Sequence, residues 1–383
     1  MKWETVKLGD IADFSNGLNF DKRAYSDGVK LVGVSNFGNR FSPDISELSE
    51  VSSEVVREAD LLQAGDIVFV RSNGNKELVG RCMLIAEATE PVTYSGFVIR
   101  CRIHNPRKYD PVFFTYHFKN KAFRRAMAGT AVGANIQNLS QGRLSSYAAF
   151  VPDTDSQHRI AEMLSAYDSL IENNQKQIKL LEEAAQRLYK EWFIDLRFPG
   201  HESTPIHNGI PESWEKTSLA SIAPIVTGKR DANYGTEDGK YMFFTCAQEP
   251  IKAPTYSFDC DAVILAGNGD FNVKLYRGQF EAYQRTYVLS PYDNKHLFLL
   301  YHAVRENMRN LFQGASGSTI KFLTKHMLED IFVYIPSESL MKKYNQTCET
   351  IQQKIEALKT QIVFSQEARD RLLPKLMSGE IEV

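Results

Sequence analysis

Between Gln157 and Arg197 the apolar positions fall at alternating intervals of four and three: Ile160, Leu164, Tyr167, Ile171, Asn174, Ile178, Leu181, Ala185, Leu188 and Trp192. The segment holds no glycine and no proline. A mean interval of 3.5 residues draws one narrow stripe along a helix, the seam of a coiled coil. At about 1.5 Å per residue, about 40 residues make a rod of roughly 60 Å. Such a rod needs a partner for its stripe; the plainer alternative is an amphipathic helix lying on its own domain. The same rhythm returns at Tyr344, Cys348, Ile351, Ile355, Leu358, Ile362, Ser365, Arg369, Leu372 and Leu376, each 184 positions after its counterpart. The chain thus supplies a partner helix of its own. Asn174 is polar within the seam, and a buried amide is costly unless it finds a polar group or a water. Pro374 lies inside the second repeat and predicts a kink or an end near Leu373.

The rest of the chain follows one plan twice. Trp3, Leu8, Ile11, Ala12 and Gly17 open it, and Trp214, Leu219, Ile222, Ala223 and Gly228 repeat that spacing 211 positions later. Short apolar runs read as strands in both halves: Lys30–Val34 and Tyr241–Thr245, then Gly65–Asn75 (GDIVFVRSNGN) and Asp261–Asn272 (DAVILAGNGDFN), where a strand runs into an Asn/Gly turn. A helix capped by Asp110 with Pro111 in its first turn follows. Its Phe113, Tyr116 and His117 match Phe298, Tyr301 and His302, 185 positions on. Glycine-rich loops come next, Gly129–Leu139 and Gly314–Leu323, and Pro152 and Pro336 close the two globular parts. Between the copies, Phe198–Glu212 carries three prolines and two glycines and reads as an extended connector.

Composition narrows the class only a little. Hydrophobic residues make up 43% and charged residues 24% of 383 positions, ordinary for two or three globular domains. A formal net charge of −2 gives no global attraction to nucleic acid, so any such surface is local. No apolar run approaches a membrane span, and the opening MKWETVKLGD lacks the apolar core of a signal peptide. The five cysteines are dispersed without a CxxC pair, which points to neither a zinc site nor a disulfide framework and suits a cytoplasmic protein.

Catalytic constellations are missing. There is no Asn-Pro-Pro-aromatic tetrad of an amino-methyltransferase, no G-x4-GK[ST] phosphate loop, and only Gly267-Asn268-Gly269 in place of a G-x-G-x-x-G. Pro43-Asp44 and Pro152-Asp153 lack the following acidic-x-Lys of a nuclease metal site. His117 and His302 belong to the repeat and read as packing or surface positions. Two matched domains with polar loops and no catalytic set read as a recognition device.

The chain resembles the DNA sequence specificity subunits of type I restriction–modification systems. The likeness rests on the paired W-x4-L-x2-IA openings, the G-x-N-I-x-x-L loop at Gly133–Leu139, the helix start Gln157-His158-Arg159-Ile160, LYKEWF at Leu188–Phe193 followed by RFPGHE, and the C-terminal LLPKLMSGEI. Met341 stands where the first copy has Gln157, and Ser318-Thr319-Ile320 replaces the Asn-Ile pair. The resemblance implies an α+β protein: two mixed α/β target recognition domains in a tandem pseudo-repeat, separated by two long helices that form an antiparallel coiled coil. The expected segments are domain 1 over 1–152, the central helix over 153–197, a connector over 198–212, domain 2 over 213–336 and the C-terminal helix over 337–383. It also implies a non-catalytic chain that binds double-stranded DNA and docks two modification subunits, with restriction subunits beyond them. S-adenosylmethionine, ATP and magnesium would belong to those partners, and this chain would need no cofactor or metal.

Base readout needs Arg or Lys for guanine edges and phosphates and Asn or Gln for adenine edges. The first domain offers Arg71, Asn73, Asn75, Lys76, Asn135, Gln137, Asn138 and Arg143. The second offers Lys229, Arg230, Asn268, Asn272, Lys274, Arg277, Arg285 and Lys321, with Phe271, Tyr276 and Tyr283 between them. Three other readings stay open: a DNA-binding adaptor of another methylation-based system, a scaffold whose domains bind protein, and an enzyme with an unrecognised active site.

Overall fold

The computed structural model describes residues 2–38, 40–75, 77–128, 137–315 and 321–383, the side chains of Lys22, Ala128 and Gln137 excepted. The chain divides into two compact units, Met1–Asn174 with Thr360–Val383, and Gln175–Lys359. Each unit therefore holds one globular part, the N-terminal half of the long helix that follows it, and the C-terminal half of the other long helix.

In the first unit a four-stranded antiparallel sheet runs in the order Ala12–Asn16, Val98–Ile103, Ile67–Val70, Cys82–Leu84. A three-stranded sheet orders Ser49–Val51, Val29–Val32 and Val92–Tyr94, the last pair parallel. The run Ile67-Val68-Phe69-Val70 is fully buried because alternate side chains serve opposite faces. Ile67 and Phe69 join the core under the helix Pro111–Lys119, whereas Val68 and Val70 join a second core with Val32, Met83 and Tyr94. Asp110 caps that helix, its Oδ1 accepting from Val112 N at 2.7 Å. Trp3–Lys7 pairs antiparallel with Ala148–Pro152, which brings the start of the globular part back to its end.

The second unit builds the same plan as one six-stranded sheet, ordered Ile225–Thr227, Thr286–Leu289, Phe258–Ala266, Val273–Ala282, Tyr241–Phe244, Ile251–Ala253. Here too the central strand faces two cores, Val263 and Leu265 on one side and Ala262 and Ile264 on the other. Glu215–Ser218 closes on Phe332–Ile335. The connector is not extended as the sequence suggests. Ile206–His207 and Ile210–Pro211 pair as a hairpin, and Asn208 and Gly209 turn it with φ of 53° and 78°. Asn-Gly is the residue pair that such a two-residue turn prefers.

The long helices are Thr154–Tyr189, ending in a π turn at Lys190–Ile194, and Glu338–Ser378. Within the first unit they run antiparallel: Asp168 meets Arg369, and Asn174 Nδ2 donates to Gln361 Oε1 at 3.3 Å. Within the second, Trp192 meets Tyr344, while Glu182 and Ala185 share a cleft with Ile351 and Ile355. Along the second helix the buried positions Tyr344, Cys348, Ile355, Leu358, Ser365 and Leu376 keep the four-three rhythm, with Ile351, Ile362 and Leu372 half-buried. On the first helix Ile160, Leu164, Ile171, Asn174 and Ala185 are buried and Ile178, Leu181 and Leu188 half-buried. There, however, Asp168 rather than Tyr167, and Tyr189 and Phe193 rather than Leu188 and Trp192, go fully inside. At its ends this helix packs on a globular core as well as on a helix, and the buried face steps by four. Pro374 does not end the second helix. It continues to Ser378, and Leu376 and Met377 are buried in the first unit's core, offsetting the lost hydrogen bond. Among the described residues no helix is long and apolar enough to cross a membrane, and no group of three or more His, Cys, Asp or Glu could hold a metal ion.

Candidate nucleic-acid interface

Both strand-end loops are held by the same lattice of backbone hydrogen bonds. In the first unit Gly17 N donates to Val98 O at 3.1 Å, and Leu18 and Ser95 form a parallel bridge. Gly96 N donates to Leu18 O at 2.6 Å, Arg71 N to Phe97 O at 2.8 Å, and Leu139 N to Arg71 O at 2.9 Å. In the second unit Gly228 N donates to Thr286 O at 3.1 Å, and Arg230 and Tyr283 form the bridge. Gln284 N donates to Arg230 O at 2.9 Å, Gly267 N to Arg285 O at 2.8 Å, and Leu323 N to Gly267 O at 2.8 Å. Four segments distant in sequence thus converge in each unit: the loop after the opening strand, a tight turn, the end of the central strand, and the exit of the glycine-rich loop. Glycine is required at the first of them. A Cβ on Gly17 would lie 2.2 Å from Tyr94 O, and one on Gly228 2.0 Å from Ala282 O.

Several predicted residues sit in this convergence. In the first unit Ser72–Asn73 pairs with Gln137–Asn138, which joins the two loops chosen from the sequence. Arg71 is half-buried, its Nη1 donating to Gly96 O at 3.1 Å. Asn73 and Asn75 use their side-chain oxygens to accept from Asn75 N and Glu77 N, which shapes the turn, and their amide nitrogens have no partner among the described residues. Asn138 is exposed. In the second unit Lys229 and Arg285 are exposed and have no side-chain partner among the described residues. Asn268 bridges to Phe322, and Lys321 is exposed with its ammonium 4.3 Å from the Phe312 ring centroid. Lys76 and Asn135 lie outside the described residues, as does the side chain of Gln137.

Others are engaged within the fold. Arg143 Nη2 donates to Ala126 O at 2.9 Å. Arg230 pairs with the fully buried Glu281 at 3.4 Å and lies over Tyr234. Asn272 Nδ2 donates to Cys246 O at 3.2 Å, and Lys274 Nζ donates to Ala247 O at 3.0 Å and to Asn272 Oδ1. Burial lowers the Lys274 ammonium below the ordinary lysine range. Arg277 makes a two-point ion pair with Glu349 on the long helix, at 2.9 and 2.8 Å, and this holds the Glu349 carboxyl below its usual range. The side chains at the turn were missed in the first half. Ser95-Gly96-Phe97-Val98 occupies the place of Tyr283-Gln284-Arg285-Thr286, and Phe97 is 62% exposed. The signal was the repeat itself, carried through the hairpin as well as through the anchors.

Residues 1–183 and 211–362 match the family model of the type I restriction modification DNA specificity domain. The chain belongs to this family. The EcoDI specificity subunit of Escherichia coli is 36% identical over 176 residues, a match covering 45% of this chain and 39% of that relative's own length. The MjaIX specificity subunit of Methanocaldococcus jannaschii is 25% identical over 305 residues, covering 71% of this chain and 69% of the relative. The crystal structure of the S subunit of the type I restriction–modification system of M. genitalium shares the fold, with a TM-score of 0.57 at 16% identity over 98% of this chain and 96% of that one. The α+β architecture with its repeated domain is thus that of a type I specificity subunit, and in the converging loops of this specificity subunit Asn138, Lys229 and Arg285 are exposed.

Proposed function

We propose that this specificity subunit recognises an asymmetric, two-part DNA target, one block for each unit, and directs adenine methylation and restriction by partner subunits. The observation that carries this reading is one backbone lattice presenting different side chains in the two units. Equivalent frames suit equivalent docking on duplex DNA, and different side chains suit different bases. The paired helices would set the unread spacer. A seam from Ile160 to Trp192 is roughly 48 Å long at about 1.5 Å per residue, and one helical turn of DNA separates half-sites by about 34–36 Å. Two modification subunits would bring S-adenosylmethionine and extrude the adenine, and restriction subunits would bring ATP and magnesium. The chain would work in the cytoplasm.

Modified-base sequencing of host DNA tests the reading. Two short, unlike blocks with a fixed gap are expected, lost when this gene is deleted; a continuous motif would refute it. Removing one heptad from both helices together should shorten the gap and leave both blocks unchanged. DNA affinity should also fall steeply with salt, as phosphate contacts require, which a scaffold for protein would not show.

A further inference from the structure

We infer that the tight turns Ser95–Val98 and Tyr283–Thr286 are base-reading tips, and that Phe97 and Arg285 occupy the same reading position with opposite chemistries. The inference rests on the proposed two-part target and names the residues that distinguish its blocks. Each turn is closed by an i to i+3 hydrogen bond, Val98 N to Ser95 O at 2.9 Å and Thr286 N to Tyr283 O at 2.8 Å. Phe97 and Arg285 are both third in their turns, and each gives its backbone carbonyl to the end of the central strand, to Arg71 N and Gly267 N. The backbone is therefore fixed on both sides while the side chain projects. Neither packing nor hydrogen bonding explains the side chains: Phe97 is 62% exposed, and Arg285 is exposed with no partner among the described residues. An exposed phenyl ring on a rigid turn has a hydration cost that only an apolar surface removes. In duplex DNA the base-edge feature of that kind is the thymine methyl group, whereas a guanidinium at the same place suits the O6 and N7 of guanine. The surroundings agree in sign with DNA, since Lys229 and Lys321 are exposed in the segments that converge on the second turn.

The test uses the full chain assembled with its modification subunits. Phe97→Ala and Arg285→Ala are compared with the unsubstituted complex by modified-base sequencing and by binding to duplexes of the mapped target. Phe97→Ala should relax one position of one block about tenfold and leave the other block intact. Arg285→Ala should relax one position of the other block. Replacing the thymine at the first position by deoxyuridine should weaken the unsubstituted complex severalfold and leave Phe97→Ala unaffected, and 7-deazaguanine should do the same for Arg285. The untouched block shows in each variant that the protein is folded and assembled. Unchanged base preferences in both variants, or changes falling in one block for both, would overturn the inference. A target of the unsubstituted complex that is not two-part would instead overturn the underlying reading.

Discussion

The two units attach the long helices by different means. In the first, Tyr116 Oη donates to Asp168 Oδ2 at 2.5 Å, and Arg369 of the second helix pairs with the same carboxylate. Burial and the nearby carboxylate push the Tyr116 hydroxyl far above the usual tyrosine range. In the second unit the corresponding role falls to rings. Tyr344 stands edge-on to Phe193 at 4.9 Å, Trp214 lies 5.6 Å from Phe193, and the Tyr344 hydroxyl bonds to His302 Nδ1 at 2.7 Å. A duplicated backbone plan thus tolerates a buried ion pair at one place and an aromatic cluster at another. What is kept is the burial of the helix stripe, and the chemistry filling it is free to drift.

Removing either anchor should show the contrast. Tyr344→Ala takes out a fully buried ring and strands His302, and a loss of about 3–5 kcal/mol is expected from thermal or urea unfolding. Asp168→Ala should cost less, ~1–3 kcal/mol, because it leaves the buried Tyr116 hydroxyl without its acceptor while the half-buried Arg369 guanidinium keeps Asp370. The repair differs. A triple variant, Tyr116→Phe with Asp168→Leu and Arg369→Leu, should recover to within about 1 kcal/mol of the original, since apolar packing often replaces a buried ion pair without loss. A triple variant as unstable as Asp168→Ala would mean that the ion pair itself, not the absence of an orphan, holds the helix.

The repeated histidines give the next largest effect. Burial lowers His117 to about 4 and His302 to about 3, so both are neutral in the folded protein. An unfolded histidine titrates near 6.5, so the unfolded chain binds the extra proton first as pH falls. Their contribution is full above about pH 6.5 and is lost as pH drops toward 4 for His117 and 3 for His302, roughly 2 kcal/mol from each by pH 5. His117→Phe should flatten part of the fall in melting temperature between pH 7 and 5. His117 is the cleaner choice, because its Nδ1 has no partner among the described residues whereas His302 bonds to Tyr344. An unchanged slope would mean that His117 is protonated in the folded state.

Much of this organisation is legible in the residues. Gly17 and Gly228 stand out as repeat anchors, and both prove to be positions where a Cβ would strike a backbone carbonyl. The seam of the second helix follows its heptads even at its ends, where Tyr344, Cys348 and Leu376 enter the globular cores at heptad positions. The first helix departs from them at Asp168, Tyr189 and Phe193, where a globular core adds a second buried direction that periodicity alone does not encode. Among the candidate contact residues, type and loop position picked out Lys229, Asn138 and Arg285, which the fold leaves exposed. They did not separate these from Asn272, Lys274 and Arg277, because an intramolecular carbonyl or carboxylate satisfies the same donors that a base would. Phe97 went unnoticed because an apolar residue is read by default as core.

The smallest effect expected concerns Asn174, and its sign is informative. The residue is buried, yet its bond to Gln361 is long at 3.3 Å, and Gln361 is exposed. Losing the asparagine therefore leaves Gln361 free to bond to water, with no orphan on the partner's side. Asn174→Leu should add apolar contact in the seam and raise stability by up to about 1 kcal/mol, the usual direction when a polar seam residue is replaced. The same change should make helix pairing less discriminating, and an increased fraction of self-associated chain in sedimentation measurements is expected. A loss of more than about 1 kcal/mol would instead show that the amide is bound more tightly than the long hydrogen bond to Gln361 implies. In that case the first unit would hold its helices by a second polar anchor beside Asp168.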